Sequence, residues 1–337
     1  MTRYERIEWI SGVRVTTRET CLALDPASSR RFDKRVHQFI SHAHADHTQC
    51  LSTRGVKYAT ASTKRIYEGI RKKPIMDFNE INVNHSIRLA DVEVTPINAG
   101  HMLGSIQLRI TTPNKTLLYT GDLNCIDTLT TDRAESVECD LLLIEATFGN
   151  PYYIFPDRES TYAKIVEWAT RQAKKQHIPT FHVYAAGKAQ EIVKLFNLYT
   201  KLPVVVSPPV AAANEAYNSE GIKLRYETVD NGCEDDLFKS GPCVYVTTPS
   251  DRLIPEKCER AVATGWALGT ANRFPAFPLS SHADFKQLIE FVKSTRAKTV
   301  YIFTGYSDFF ASYLQNRYGI DARPIRSVAQ KTLEISQ

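Results

Sequence analysis

No apolar run in the 337 residues reaches the roughly 20 needed to span a bilayer, and the opening MTRYERIEWISG holds no apolar core of signal-peptide length. Neither a membrane span nor a secretory leader is expected. The seven cysteines (Cys21, Cys50, Cys125, Cys139, Cys233, Cys243, Cys258) include no C-x-x-C pair and are odd in number. That argues against a disulfide framework and for a reducing compartment, so a cytoplasmic setting is expected. Internal repeats and low-complexity tracts are missing too, which excludes solenoid and linker architectures. The net charge of +5 falls short of the excess that a nucleic-acid coat carries, although a local basic groove stays open. Three basic clusters (Arg30, Arg31, Lys34 and Arg35; Arg71, Lys72 and Lys73; Lys174 and Lys175) read first as solvated faces. What remains, with 43% hydrophobic and 23% charged residues, is an ordinary globular chain long enough for two packed units or one large layered one.

From residue 7 to about 145 the segments GVRVTT, RVHQFIS, VKYAT, VEVTPI, SIQLRIT and KTLLYTGD mix β-branched and apolar residues over strand lengths. TASTKRIYEGIRKK is a helix with Thr or Ser at its start. CDLLLIEAT reads as a strand buried on both faces, and FGNPYYIFPD after it reads as a connector, which places a boundary near residue 149. Beyond it, RESTYAKIVEWATRQAKKQ spaces Tyr162, Ile165, Val166 and Ala169 along one helix face. PTFHVYAAG, AQEIVKLFNLYT, LPVVVSPP, IKLRYETV and GPCVYVTTP then alternate in the manner of a layered α/β unit. SSHADFKQLIEFVKST, AKTVYIFTG and SDFFASYLQNRYG follow as helix, strand and helix.

Chemistry concentrates in SHAHADH, where His42, His44, Asp46 and His47 crowd the end of a strand in a chain with nine histidines. Imidazoles with a carboxylate suit zinc, manganese or iron better than calcium or magnesium alone. His101 in NAGHMLGS and Asp122 in YTGDLN stand at the ends of two further strands, and the three motifs together form an ordered ligand set. Each alone would be weak, since Asp is common in turns.

HAHADH, AGHMLGS and YTGDLN resemble the metal motifs of the metallo-β-lactamase superfamily, which implies an α/β fold with an αββα sandwich. Glu145 in LLLIEATFGNP, AAGKAQEI and His282 in PLSSHADFKQL resemble, in order, motifs of the β-CASP nucleases within it. The resemblance implies a metallo-β-lactamase unit over residues 1–148 and 273–337, with a β-CASP cap inserted at 149–272. EATFGNPYYIFPD and the compact length look most like the ligase-associated DNA exonuclease branch, near Artemis and Apollo. It implies a metal-dependent phosphodiesterase acting on nucleic acid, with DNA ligase and helicase as partners.

By that resemblance His42, His44, His101 and Asp122 hold a tight zinc, while Asp46, His47 and a bridging Asp122 hold a weaker second ion, open to Mn2+ or Mg2+. Asp46 also orients the attacking water, and His282, oriented by Glu145, protonates the leaving oxygen. RNA-cleaving relatives carry a late histidine where this chain has Thr304, a departure that favours DNA; the branch resemblance implies a 5'-to-3' exonuclease on single strands or frayed ends in repair. An RNA-processing enzyme and a catalytically silent binding subunit are the alternatives. Ser105, Lys188, Ser280 and Ser281 are candidates for a substrate phosphate, against solvated or helix-capping roles. His182 reads as a core histidine or a cleft residue, while Tyr152, Tyr153 and Phe155 offer base stacking or hinge packing.

Overall fold

The short β-branched runs of the first half become strands of two facing sheets in the computed structural model, which describes residues 5–27, 35–229, 238, 241–251, 253, 255–269 and 273–326. Arg30, Arg31, Lys34, Cys233 and the 272 end of the expected cap lie outside the described residues. The first sheet runs in chain order through β1 (Arg6–Trp9), β2 (Val13–Thr16), β3 (Cys21–Leu24), β4 (His37–Phe39), β5 (Lys57–Ala59) and β6 (Phe78–Glu80). Helix α1 (Ala61–Arg71) joins its last two strands, and the Thr60 hydroxyl accepts from Thr63 N–H to cap it. The second sheet begins with β7 (Ile87–Leu89), β8 (Val92–Asn98), β9 (Ile106–Thr111), β10 (Thr116–Tyr119) and β11 (Leu141–Ala146). All six residues of β11 are buried, as the continuous apolar run requires.

The chain then builds a third, all-parallel sheet from β12 (Ile178–His182), β13 (Val204–Val206), β14 (Glu227–Thr228), β15 (Val244–Thr247), β16 (Cys258–Ala263) and β17 (Ala276–Phe277). Helices α2 (Arg158–Lys174), α3 (Lys188–Tyr199) and α4 (Pro208–Ser219) pack with it around Phe181, Ile192, Phe196, Val206 and Tyr217. Helix α4 is not among the sequence-based expectations. Its signals were Ser207 at the N-cap position and Pro at its first turn, hidden inside a run that also reads as strand. IKLRYETV, expected as a strand, pairs only over Glu227–Thr228, because its residues before that are drawn into loop contacts such as Leu224 N–H to Asn218 and Arg225 N–H to Asn197.

The chain returns through α5 (Phe285–Ser294), β18 (Thr299–Gly305), α6 (Ser307–Tyr318) and β19 (Asp321–Pro324), and the new strands extend the second sheet beyond β11 in parallel. Val13, Val15, Leu22, Leu24 and Phe39 of the first sheet meet Val94, Ile106, Leu108, Leu117 and Leu143 of the second in one apolar layer. Helices α5 and α6 cover the other face of the second sheet with Phe285, Leu288, Val292, Phe310 and Leu314. Tyr67 of α1 packs with Ile40 and Ala59 of the first. The result is the α/β, αββα sandwich that the resemblance implies.

Candidate metal centre

Three short connections and the end of a fourth strand converge on one point. The His42–His47 loop follows β4, the His101 turn follows β8, the Asp122 turn follows β10, and Glu145 ends β11. Gly121 lets the Asp122 turn approach closely: its φ is +53°, and a Cβ there would lie 2.7 Å from Ser41 Cβ. Between Ile144 and Glu145 the β11–β18 register slips by one residue, so Glu145 faces Thr304 while Phe303 turns into the core against Tyr119. Such a bulge re-aims side chains at the rim of a sheet. Thr304 lines the cavity over the site, as its sequence position suggested.

The ligand atoms of His42, His44, His101 and Asp122 all lie within 4.8 Å of one another. His42 Nε2 and His101 Nε2 each stand 3.1 Å from His44 Nδ1. The opposite nitrogen of every ring is committed to a fixed oxygen. His42 Nδ1 meets Ser41 Oγ at 2.9 Å, His44 Nε2 the Ala186 carbonyl at 3.1 Å, His101 Nδ1 the Ser281 carbonyl at 2.8 Å, and His47 Nδ1 Asp25 Oδ2 at 2.8 Å. The Ser41 hydroxyl donates to Asp25 and so accepts from His42. A ring that donates from one nitrogen presents the lone pair of the other, and here those lone pairs point at each other. Converging lone pairs repel unless a cation lies between them, so the residues fit a divalent metal ion.

Protonation agrees for the buried rings. Burial, followed by the charge of neighbouring histidines, holds His42 and His101 well below the ordinary range. Burial takes His44 down to about 4 against the pull of the Ala186 carbonyl. His47 differs: burial opposes its charge, but Asp122 and Asp25 raise it to about 10. The carboxylates that hold a proton there are the ones that attract a cation. Asp122 spans both parts of the cluster, with Oδ2 at 3.4 Å from His42 and Oδ1 at 3.5 Å from His47. Asp46 Oδ2 is 3.6 Å from His47, and its side chain is 78% exposed.

Beside this cluster His282 Nδ1 lies 2.8 Å from Glu145 Oε1, and its Nε2 lies 3.9 Å from Asp122 Oδ2. Glu145 is buried and also accepts from the Leu123 and Thr147 N–H groups. Burial pushes its carboxyl up, but the His282 charge and these hydrogen bonds prevail and hold it low. His282 is raised to about 9 by Glu145 and Asp122 against the cost of burial.

Of the other candidates, Ser280 and Ser281 line the cavity; the Ser280 hydroxyl accepts from His282 N–H at 2.9 Å. Lys188 also lines it, but is buried with its ammonium 2.8 Å from Glu191. Glu191 is in turn gripped by Arg158, whose Nη1 donates to the Ser280 carbonyl at 2.9 Å. Ser105 Oγ accepts from His101 and Met102 N–H inside the turn and does not line the cavity. Tyr153 is buried against Phe148, Trp266 and Tyr306 and presents no free ring face for a base. Phe155 packs edge-on against Phe148, and the Tyr152 hydroxyl donates to Leu268 O at 2.6 Å. His182 lies outside the cavity lining.

Two features escaped the sequence reading. Asp25 collects four donors: Ser41 N–H at 2.7 Å, Ser41 Oγ at 2.6 Å, Tyr119 OH at 2.8 Å and His47. Its only sequence signal was its place after the apolar strand CLAL, the same strand-end position as Asp122. The Ala186 carbonyl that holds His44 had no side-chain signal at all.

Residues 18–183 match the beta-lactamase superfamily domain. The chain carries a metallo-β-lactamase domain. With this domain it is 29% identical over 310 residues to a probable DNA ligase of Opitutus terrae, covering 88% of this chain and 29% of the ligase. It is 27% identical to the 5' exonuclease Apollo of Gallus gallus, over 81% of this chain and 60% of Apollo. An RNase J-like protein of Methanocaldococcus jannaschii is 24% identical over 58% of this chain and 59% of its own. The chain thus spans from under a third to three fifths of the length of these relatives. They bear out the resemblance to the β-CASP nucleases, including its ligase and Apollo side. A solved protein of unknown function from Enterococcus faecalis V583 shares the metallo-β-lactamase chain's fold, with a TM-score of 0.68 at 16% identity over 95% of this chain and 96% of that one.

Proposed function

We propose that this metallo-β-lactamase protein is a metal-dependent nuclease that hydrolyses phosphodiester bonds of DNA, as a 5'-to-3' exonuclease on single strands or ends in repair. The observation that carries the reading is His282, held by buried Glu145 at 2.8 Å, beside a cluster whose imidazole lone pairs converge. In this reading His42, His44, His101 and Asp122 would hold a zinc ion, and Asp46, His47 and Asp122 would hold a weaker second one that accepts Mn2+ or Mg2+. Such an ion, when bound, supplies neutralisation of phosphoryl charge and a lower pKa for water.

The protein's own groups do the rest. Glu145 fixes the His282 Nδ1 proton toward itself and keeps the ring cationic, so Nε2–H faces the cluster as the acid for the leaving oxygen. The exposed Asp46 carboxylate orients the attacking water. Ser280, Ser281 and Lys188 border the path of the phosphate, and Ser105 supports the His101 turn. Residues 149–272 serve as the cap and 1–148 with 273–337 as the catalytic unit. The similarity to a probable DNA ligase and to a 5' exonuclease supports DNA as substrate; a cytoplasmic repair setting with DNA ligase or helicase partners belongs to the same proposal.

A second reading, RNA processing, is favoured by the similarity to the RNase J-like protein. Zinc-loaded protein is incubated with 5'-labelled and 3'-labelled strands of matched DNA and RNA, with a chelator control. Mononucleotide released from 5'-labelled DNA is expected. Preferential cutting of RNA replaces the DNA reading with the second one.

A further inference from the structure

Most exposed large apolar side chains of the described residues lie away from the His/Asp cluster; Tyr184 and Trp266 line the cavity above it. Tyr184, two residues beyond β12, is 73% exposed, and its ring centroid stands 5.6 Å from that of His44. Trp266 is 42% exposed and is backed by Phe148 at 4.8 Å and Tyr153 at 5.3 Å between ring centroids. Its turn, Gly265–Leu268, presses so closely on Phe148 that a Cβ at Gly265 would come 2.4 Å from the ring. Phe148 also stands 5.9 Å from His282 in an edge-on contact, so one line of aromatic contacts runs from His282 out to the half-exposed indole. Leaving two large rings in water costs hydrophobic free energy, and holding one of them on a packed support reduces the entropy that a ligand must remove.

We infer that Tyr184 and Trp266 are stacking surfaces for unpaired nucleobases of the strand whose phosphodiester reaches the His/Asp cluster; this rests on the nuclease reading above. The cavity, about 680 Å³, places these rings in one space with His282 and the His/Asp cluster that would hold a divalent ion. That combination fits a flat π-face next to an anion, which is the chemistry of a nucleotide. Bases in a duplex have both faces covered by their neighbours, so the site selects a frayed or single-stranded end. Any base has such a face, and the selection is tolerant of sequence.

The test uses zinc-loaded protein and a short phosphorothioate-linked single DNA strand in which 2-aminopurine, or an abasic unit, is moved stepwise from the 5' end. Cleavage of the ordinary strand is followed in parallel. At one position the wild type and Tyr184→Phe should quench 2-aminopurine emission, whereas Tyr184→Ala should not. Tyr184→Ala should bind the intact strand about 5- to 150-fold more weakly, and the strand abasic at that position no more weakly than the wild type does. Trp266→Leu, which keeps an apolar contact for Phe148, should repeat the pattern at a second position. If both variants bind intact and abasic strands as the wild type does while the wild type still cleaves DNA, the stacking assignment falls and the nuclease reading stands. If the wild type neither binds nor cleaves, the nuclease reading falls and takes this inference with it.

Discussion

A histidine offers one nitrogen to a cation only when something fixes the other, and at the residue scale this rule makes Asp25 as consequential as the histidines. It holds His47 directly and His42 through Ser41. Asp25→Ala should lower zinc affinity about 10- to 100-fold, measured by chelator competition. Wild-type affinity in that variant would remove its orienting role. His282→Ala should keep its zinc, read by elemental analysis, and lose about 10²- to 10⁴-fold in turnover. Unchanged turnover would end the acid assignment. The histidines were legible because His is scarce and clustered here. Asp25 was not, because a lone Asp after a short strand looks like any turn residue, and its four donors come from two separate segments, the loop after β4 and the end of β10.

At the element scale, α2 and α3 of the third-sheet unit are joined by a buried charge group: Glu191 between Arg158 and Lys188, with the Tyr162 hydroxyl donating to it. Burial pushes the Glu191 carboxyl up, but Arg158 and Lys188 overcome this and bring it down to about 2. A depressed carboxyl binds protons less readily folded than unfolded. Its stabilisation is complete above the ordinary value near 4.5 and is lost as pH falls toward 2. Glu191→Gln should flatten the stability change over that window in urea titrations. The same variant should lose about 3–5 kcal/mol at neutral pH, because two buried cations lose their partner. A steep acid loss retained in the variant would place the titration elsewhere. The periodicity of α2 and α3 was readable from their apolar spacing. The short pairing of β14 was not, since propensity says nothing of the side chains that compete for a strand's backbone.

At the scale of the whole molecule, the αββα sandwich and the third-sheet unit both contribute to the site. Ala186 holds His44, Arg158 holds the Ser280 carbonyl, and Ser62 and Arg65 of α1 reach Glu220 just after α4. Zinc that binds only the folded arrangement should raise the melting temperature by several degrees at a hundredfold excess over its dissociation constant. Asp122→Ala, which removes the carboxylate shared by both halves of the cluster, should abolish that rise and the metal content together. A full rise in that variant would sink the bridging role. The donor types, their order along the chain and their placement at strand ends were readable from the residues alone, because these follow from local composition and from the period of short strands. Which nitrogen each imidazole presents, the pairing of Lys188 with Glu191, and the burial of Tyr153 while Tyr184 faces the cavity emerge only in the folded chain. Those outcomes depend on partners brought together from distant segments, and no local pattern records which partners a fold will bring.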